Sequence, residues 1–312
     1  MISRIVVIFL IPAAFCGQNV SAQTLRVDST SASVGYDFGG KLLPTWSGGG
    51  LLAVEAVSTS SPVVRVFGRD GHQMAVFAVT IPKARTIMVW SVSRGSSGVV
   101  ALSGSAIDAE GRRSFFVALF PPGGALEKVI LTGAYFPRLI TVALDGTVWT
   151  QGYSVGKDVV DPNIFWHFDE SGKKIGSMVP QSTFAVLHDL ESPDNRIGAS
   201  ANRVAWLCPK ERRYIELSSD GKITTDTEVT IPKDEQTEDF VLMDDGHAFV
   251  RTVAGPPLRI SLYSLDTKTG LLRSAFLPAS VPARSVRLLA GEGKFLIGLG
   301  PGGSILTLTV EQ

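Results

Sequence analysis

The stretches LITVALDGTVWTQG (139–152) and IFWHFDESGKKIGSMV (164–179), separated by residues 153–163, decide the fold. In each, two short runs rich in β-branched and aromatic residues flank a polar turn containing Gly. That is the grammar of a β-hairpin. In the Asp145-Gly146 turn, glycine takes positive φ and aspartate bonds back to the backbone, so the pair reads as structural. The same reading applies to the turns at Asp70 and Asp245.

The second hairpin recurs along the chain as VVRVFGRDGHQMAVFAV (63–79), SFFVALFPPGGALEKVIL (114–131), YIELSSDGKITTDTEV (214–229) and ISLYSLDTKTGLLRSAFL (260–277). With Phe67, Phe120, Phe168, Leu217 and Leu265 as equivalents, the spacings are 53, 48, 49 and 48. The first hairpin recurs as FVLMDDGHAFVRTV (240–253) and VRLLAGEGKFLIGL (286–299). Looser copies are WSGGGLLAVEAV (46–57), VWSVSRGSSGVVALSG (89–104) and IGASANRVAWLC (197–208). Apolar positions alternate within the runs, as at Val241 and Met243, and no segment shows helical periodicity over a useful length. Six units of four short strands fit the chain. A strand-built period of this length marks a radial repeat, so the expected fold is all-β: a six-bladed β-propeller of four-stranded antiparallel blades.

The last unit has only three strands, at 286–291, 294–299 and 303–310. TLRVDST (24–30) is an unassigned strand ahead of the first hairpin. It is expected to pair with 303–310 and close the ring. The alternative is a seven-bladed propeller with a degenerate blade inside the insert 180–196.

Ahead of that strand, MISRIVVIFLIPAAFCGQNVSAQ carries one charge, Arg4, then an apolar run from Ile5 to Phe15, then Val20, Ser21 and Ala22. This is the pattern of a signal peptide (1–22) cleaved after Ala22. The apolar run is too short to span a bilayer as a helix and Pro12 interrupts it, and Phe15 before Cys16 argues against a lipoprotein anchor. The expected location is secreted or periplasmic, with the β-propeller domain at 23–312. Removing Arg4 leaves 28 basic residues against 29 acidic ones, which offers no electrostatic footprint for nucleic acid or an anionic membrane. Cys208 is then the one remaining cysteine, so no internal disulfide forms and stability must come from core burial.

On this repeat period and hairpin grammar, residues 23–312 resemble the six-bladed β-propellers of the NHL, TolB-like and gluconolactonase-like group; no WD signature is present. The resemblance implies that ligands bind at the channel mouth on the face carrying the connections between hairpins and between blades. Two long connections stand out there. YSVGKDVVDPN (153–163) offers Lys157, Asp158, Asp161 and Asn163. PQSTFAVLHDLESPDNR (180–196) offers His188, Asp189, Glu191, Asp194, Asn195 and Arg196. The echo VTIPK, at 79–83 and 229–233, reads either as Ile-Pro serving as a blade exit or as placing Lys83 and Lys233, with Arg85, on one rim that favours an anionic ligand, offset by Asp234, Glu235 and Glu238.

Catalytic signals are scarce. Oxygen-rich loops can hold calcium, but neither loop matches a calcium repeat, and His72, His167, His188 and His247 lack zinc spacing. There is no GxSxG elbow and no HExxH. Cys208 reads as a buried small apolar residue, and GLGPGG (298–303) as a turn between strands. The expected function is therefore a monomeric, non-catalytic propeller, without a cofactor, that binds a protein, peptide or glycan through its loop face. The alternative is a metal-assisted hydrolase or lyase resembling the lactonase propellers. It requires three or more carboxylates at the channel mouth, and the inner strands, placed at 138–144 and 240–243, show few.

Overall fold

The computed structural model describes residues 22–35, 42–156, 159–200 and 203–311. Residues 1–21 of the expected signal peptide (1–22) and the candidates Lys157 and Asp158 lie outside the described residues. Four sheets form in chain order, each an antiparallel meander. The first holds Leu42–Ser47, Gly50–Glu55, Val63–Phe67 and Gln73–Ala78. The second holds Thr86–Arg94, Val100–Ile107, Arg113–Phe120 and Lys128–Leu131, plus the short Ser58–Thr59 on its inner edge. The third holds Tyr135–Val142, Val148–Ser154, Asn163–Phe168 and Lys174–Pro180, and the fourth Arg196–Ser200, Arg203–Cys208, Arg213–Ser218 and Ile223–Glu228.

The remaining eight strands make one sheet. It begins with Gln236–Leu242, Ala248–Ala254, Arg259–Leu265 and Leu272–Phe276, and continues through Gln23–Ser33, Ser304–Glu311, Phe295–Leu299 and Arg287–Glu292. Its two halves meet through a parallel contact of two residue pairs, Gln23 with Ala275 and Thr24 with Phe276. The expected N-terminal strand is present: Gln23–Ser33 pairs antiparallel with Ser304–Glu311 from Thr24 opposite Glu311 to Ser33 opposite Ser304.

Strand periodicity explains how the sheets hold together. Successive side chains point to opposite faces of a sheet, so a strand buried on both faces feeds two separate cores. In Arg113–Phe120, Phe116, Ala118 and Phe120 pack toward the first sheet and Val117 and Leu119 toward the third. Trp206 and Cys208 join one cluster, and Ala205 and Leu207 the next. Among the described residues the buried apolar side chains gather in six such clusters, the last joining Trp46, Leu51 and Phe67 to Ile297, Leu299 and Ile305. The first strands follow the same circuit: each packs against the first strand of the next unit, and Arg287–Glu292 packs against Leu42–Ser47. The result is a propeller-like ring around a central channel.

Several expectations change. The insert 180–196 contains 3₁₀ turns at Gln181–Thr183 and Leu187–Glu191 and no strand before Arg196, so no degenerate blade lies there. GLGPGG is a turn between two strands, as expected, and it contains a 3₁₀ turn at Pro301–Gly303. Residues 135–137 and 236–239, read as loop, belong to the inner strands Tyr135–Val142 and Gln236–Leu242. The reason is a register slip in each strand that breaks the alternation a sequence reading depends on.

Candidate functional site

That slip is a repeated device. Pairing between the inner and second strands shifts by one residue at Trp90, Arg138, Glu238 and Leu289, and again between Leu42 and Thr45. A bulge leaves its extra residue unpaired and re-aims its side chain. Trp90, Arg138, Glu238 and Leu289 all line one cavity of about 350 Å³ at the connection end of the channel. Close backbone approach fixes what can sit opposite: a Cβ at Gly104 would overlap the carbonyl of Met88, and one at Gly152 that of Phe136. The fourth inner strand has no bulge and opens with Arg196, which lines the same cavity.

Charge is unevenly neutralised around this mouth. Arg287 grips the buried Asp239 (Nη2 to Oδ1 2.5 Å, Nε to Oδ1 2.8 Å), and Asp239 Oδ2 also accepts from the Leu288 amide at 2.9 Å. Burial works against the Arg287 charge, but Asp239 outweighs it and holds its pKa above the ordinary value. The buried Arg251 pairs with Glu238 and stands 3.7 Å from Asp239. Arg196 meets carbonyls instead, donating to Glu238 O (2.8 Å), Thr237 O (2.9 Å), Asn195 O (2.8 Å) and Pro193 O. It has no carboxylate in ion-pair range among the described residues, and burial lowers its pKa. Arg138 lies with its guanidinium 5.7 Å from the ring centres of both Trp90 and Phe136, and no described residue accepts a hydrogen bond from it. Of the residues lining the cavity, three guanidinium groups, Arg138, Arg196 and Arg287, thus face two carboxylates, Glu238 and Asp239. Arg251 lies behind them and Asp194 acts on Arg196 from outside the lining, and among the described residues Arg138 and Arg196 have no carboxylate in ion-pair range.

Behind Arg138 the wall is aromatic. Trp90 stacks on Phe136 at 4.1 Å, Phe115 meets Phe136 edge-on at 4.6 Å, and Tyr153 lies 5.2 Å from Phe136. The Tyr153 hydroxyl donates to Glu191, and burial raises its pKa. Three buried polar atoms of the cavity lining have no partner: both amide atoms of Gln151, which is fully buried, and Oδ1 of Asn195. Nδ2 of Asn195 is used, donating to Asp189 O and Leu190 O. An unpaired buried polar group costs about 1–3 kcal/mol, so such groups are concentrated at one wall against the folding free energy.

A second cavity, about 460 Å³, occupies the hairpin-turn end of the channel, with Trp46, Val142, Leu242 and several serines on its wall. Ile140, Ile197, Phe240 and Leu289, together with Thr45, line both cavities and form a largely apolar waist between them. Among the described residues no three His, Cys, Asp or Glu side chains come together to hold a metal ion.

Of the residues singled out from the sequence, Asn195, Arg196 and Glu238 reach the cavity. Asp161 is committed to Lys174 and Asn163. His188 is exposed, 3.7 Å from Glu191. Asp189 contributes only its carbonyl, and Asp194 lies beside Arg196 without lining the cavity. Lys83, Arg85 and Lys233 are exposed on connections and line neither cavity. Trp90, Arg138, Gln151, Asp239 and Arg287 were not singled out. The signal available for two of them was the pair Gly104 and Gly152, 48 residues apart opposite the bulges that carry Trp90 and Arg138. Cys208 is buried, with its thiol pushed up to about 12.

No protein-family model matches this sequence, and no curated protein matches it. Solved structures do. A calcium-binding protein, regucalcin, of Agrobacterium tumefaciens is similar at 12% identity and a TM-score of 0.52, over 93% of this chain and 97% of that one. For a Bacteroides fragilis protein named as a "putative exported protein" (10%, 0.51) the match covers 92% of this chain and 95% of that one, and for a member of the DUF4221 family from Bacteroides vulgatus (8%, 0.51) 93% and 98%. At these identities the likeness is one of fold, and the fold of this chain is that of a β-propeller.

Proposed function

We propose that this is an exported, non-catalytic propeller whose connection-face mouth binds an anionic peptide, protein or glycan. The observation that carries the reading is the pair of guanidinium groups, Arg138 and Arg196, without a carboxylate in ion-pair range among the described residues, in a concave site lined from all six inner segments. Similarity in fold to a protein named as exported agrees with the signal-like front end. We read the eight-stranded sheet as two blades joined edge to edge, which makes the ring six-bladed with Gln23–Ser33 as the closing strand. Five clusters between sheets, a sixth between the two halves of the eight-stranded sheet, and the narrow two-pair junction support that count.

The metal-assisted alternative needs carboxylates free to hold an ion. Here Glu238 and Asp239, the carboxylates among the described residues lining this cavity, are both engaged by arginines, which speaks against calcium chemistry at this mouth. The test is to probe peptide and glycan arrays with the protein, then titrate hits against wild type and Arg138→Ala. Anionic hits are expected, weakened at least tenfold by the substitution and by raised salt, with a melting temperature unchanged by calcium or EDTA. Hydrolysis of a lactone or ester dependent on calcium, without array binding, would overturn the reading.

A further inference from the structure

Resting on that reading, we propose that the connection-face cavity receives the free C-terminus of a peptide whose last side chain is apolar. Arg138 takes the carboxylate, Gln151 the last peptide group, and the waist of Ile140, Ile197, Phe240 and Leu289 the side chain. Each wall supplies one part of this. A guanidinium is a planar fork that matches a carboxylate with two parallel hydrogen bonds. Arg138 holds that fork over Trp90 and Phe136 with its donors unclaimed among the described residues. Gln151 offers one unpaired donor and one unpaired acceptor, the complement of a peptide group's carbonyl and N–H.

The unpaired acceptors discriminate between anions. Oε1 of Gln151 and Oδ1 of Asn195 need donors from the ligand. A sulfate, which brings acceptor oxygens alone, leaves both unsatisfied, and a phosphate brings at most its residual hydroxyl hydrogens, spent against a second full negative charge. A carboxylate followed by an amide N–H satisfies the guanidinium and at least one acceptor together. A polyhydroxylated sugar acid could donate as well, but its hydroxyls would lose solvation against the apolar waist. The cavity, about 350 Å³, has room for a terminal dipeptide rather than an extended chain, which leaves the rest of the partner outside on the loops.

The experiment uses calorimetry on the full chain with N-acetyl tripeptides ending in Leu, Val or Phe. Each is presented as the free acid and as the C-terminal amide, with oligogalacturonate as the sugar-acid probe. The free acids are expected to bind, and amidation to weaken binding at least tenfold. Arg138→Gln should match the effect of amidation, with Arg138→Lys intermediate. Gln151→Leu is the second arm: it removes both unpaired atoms, so it should weaken binding at least fivefold while leaving the melting temperature unchanged or raised. A merely structural amide would lower that temperature. Equal binding of acids and amides, or preference for oligogalacturonate with Arg138 still required, overturns this proposal and leaves the loop-face reading standing. Failure of every probe together with silent arrays overturns both.

Discussion

His167 shows how burial alone sets the behaviour of a single residue. Its ring stacks on Trp149 at 3.7 Å, its Nε2 has no partner, and it is 5% exposed. Burial lowers its pKa, and the nearby carboxylates of Asp145 and Asp169 only partly offset this. The unfolded chain then takes up a proton near pH 6.5 while the folded protein does not. Stability from this group is complete above about pH 6.5 and falls as pH drops from there toward the lowered folded value. Melting temperatures measured between pH 7.5 and 5 should decline less steeply for His167→Phe than for the wild type. Parallel slopes would show that His167 titrates alike in both states.

Within one strand, the bulge decides whether a side chain enters the channel or joins a core. The inner strand Tyr135–Val142 tolerates its extra residue at Arg138 because Gly152 lets the two backbones approach across it. Gly152→Val should force the carbonyl of Phe136 away, destabilise the protein by about 1–3 kcal/mol or more as overpacking does, and displace Arg138. Chemical denaturation gives the first quantity and titration of an anionic hit the second. Unaltered affinity would mean that the bulge does not aim Arg138. The same irregularity explains what was hard to read from sequence. Hairpins with unbroken alternation, such as Val204–Cys208 against Arg213–Leu217, were legible. Glu238 and Asp239 read as loop because the slip beside them disguises a strand as irregular chain.

The whole molecule depends on a contact between its two ends. Leu25 is fully buried among Leu296, Leu306 and Leu308, on the strand that pairs with Ser304–Glu311. Leu25→Ala should cost about 2–5 kcal/mol, the range for a leucine truncated in a core. A chain lacking 23–33 should expose the edge of Ser304–Glu311 and self-associate. Scanning calorimetry and light scattering check the two outcomes. A substituted or truncated protein that melts like wild type and stays monodisperse would show that the ring holds without its N-terminal strand. Cleavage after Ala22, as the proposed export requires, would leave that strand at the new N-terminus, and N-terminal sequencing of the secreted fraction should then begin at Gln23.

The sequence by itself determined the all-β class, the repeat period, the deficit of one strand in the last unit and the partner of residues 24–30. These follow from turn chemistry and alternation, which are local and repeat with each unit. Only the tertiary structure decided which polar side chains meet. Arg138, Gln151, Asn195, Arg196, Asp239 and Arg287 come from four successive units, and ring geometry brings them to one mouth. A single slipped residue turns a side chain from one face of a strand to the other, so a pattern of period two could not tell that Arg138 faces the channel or that Gln151 is buried without a partner.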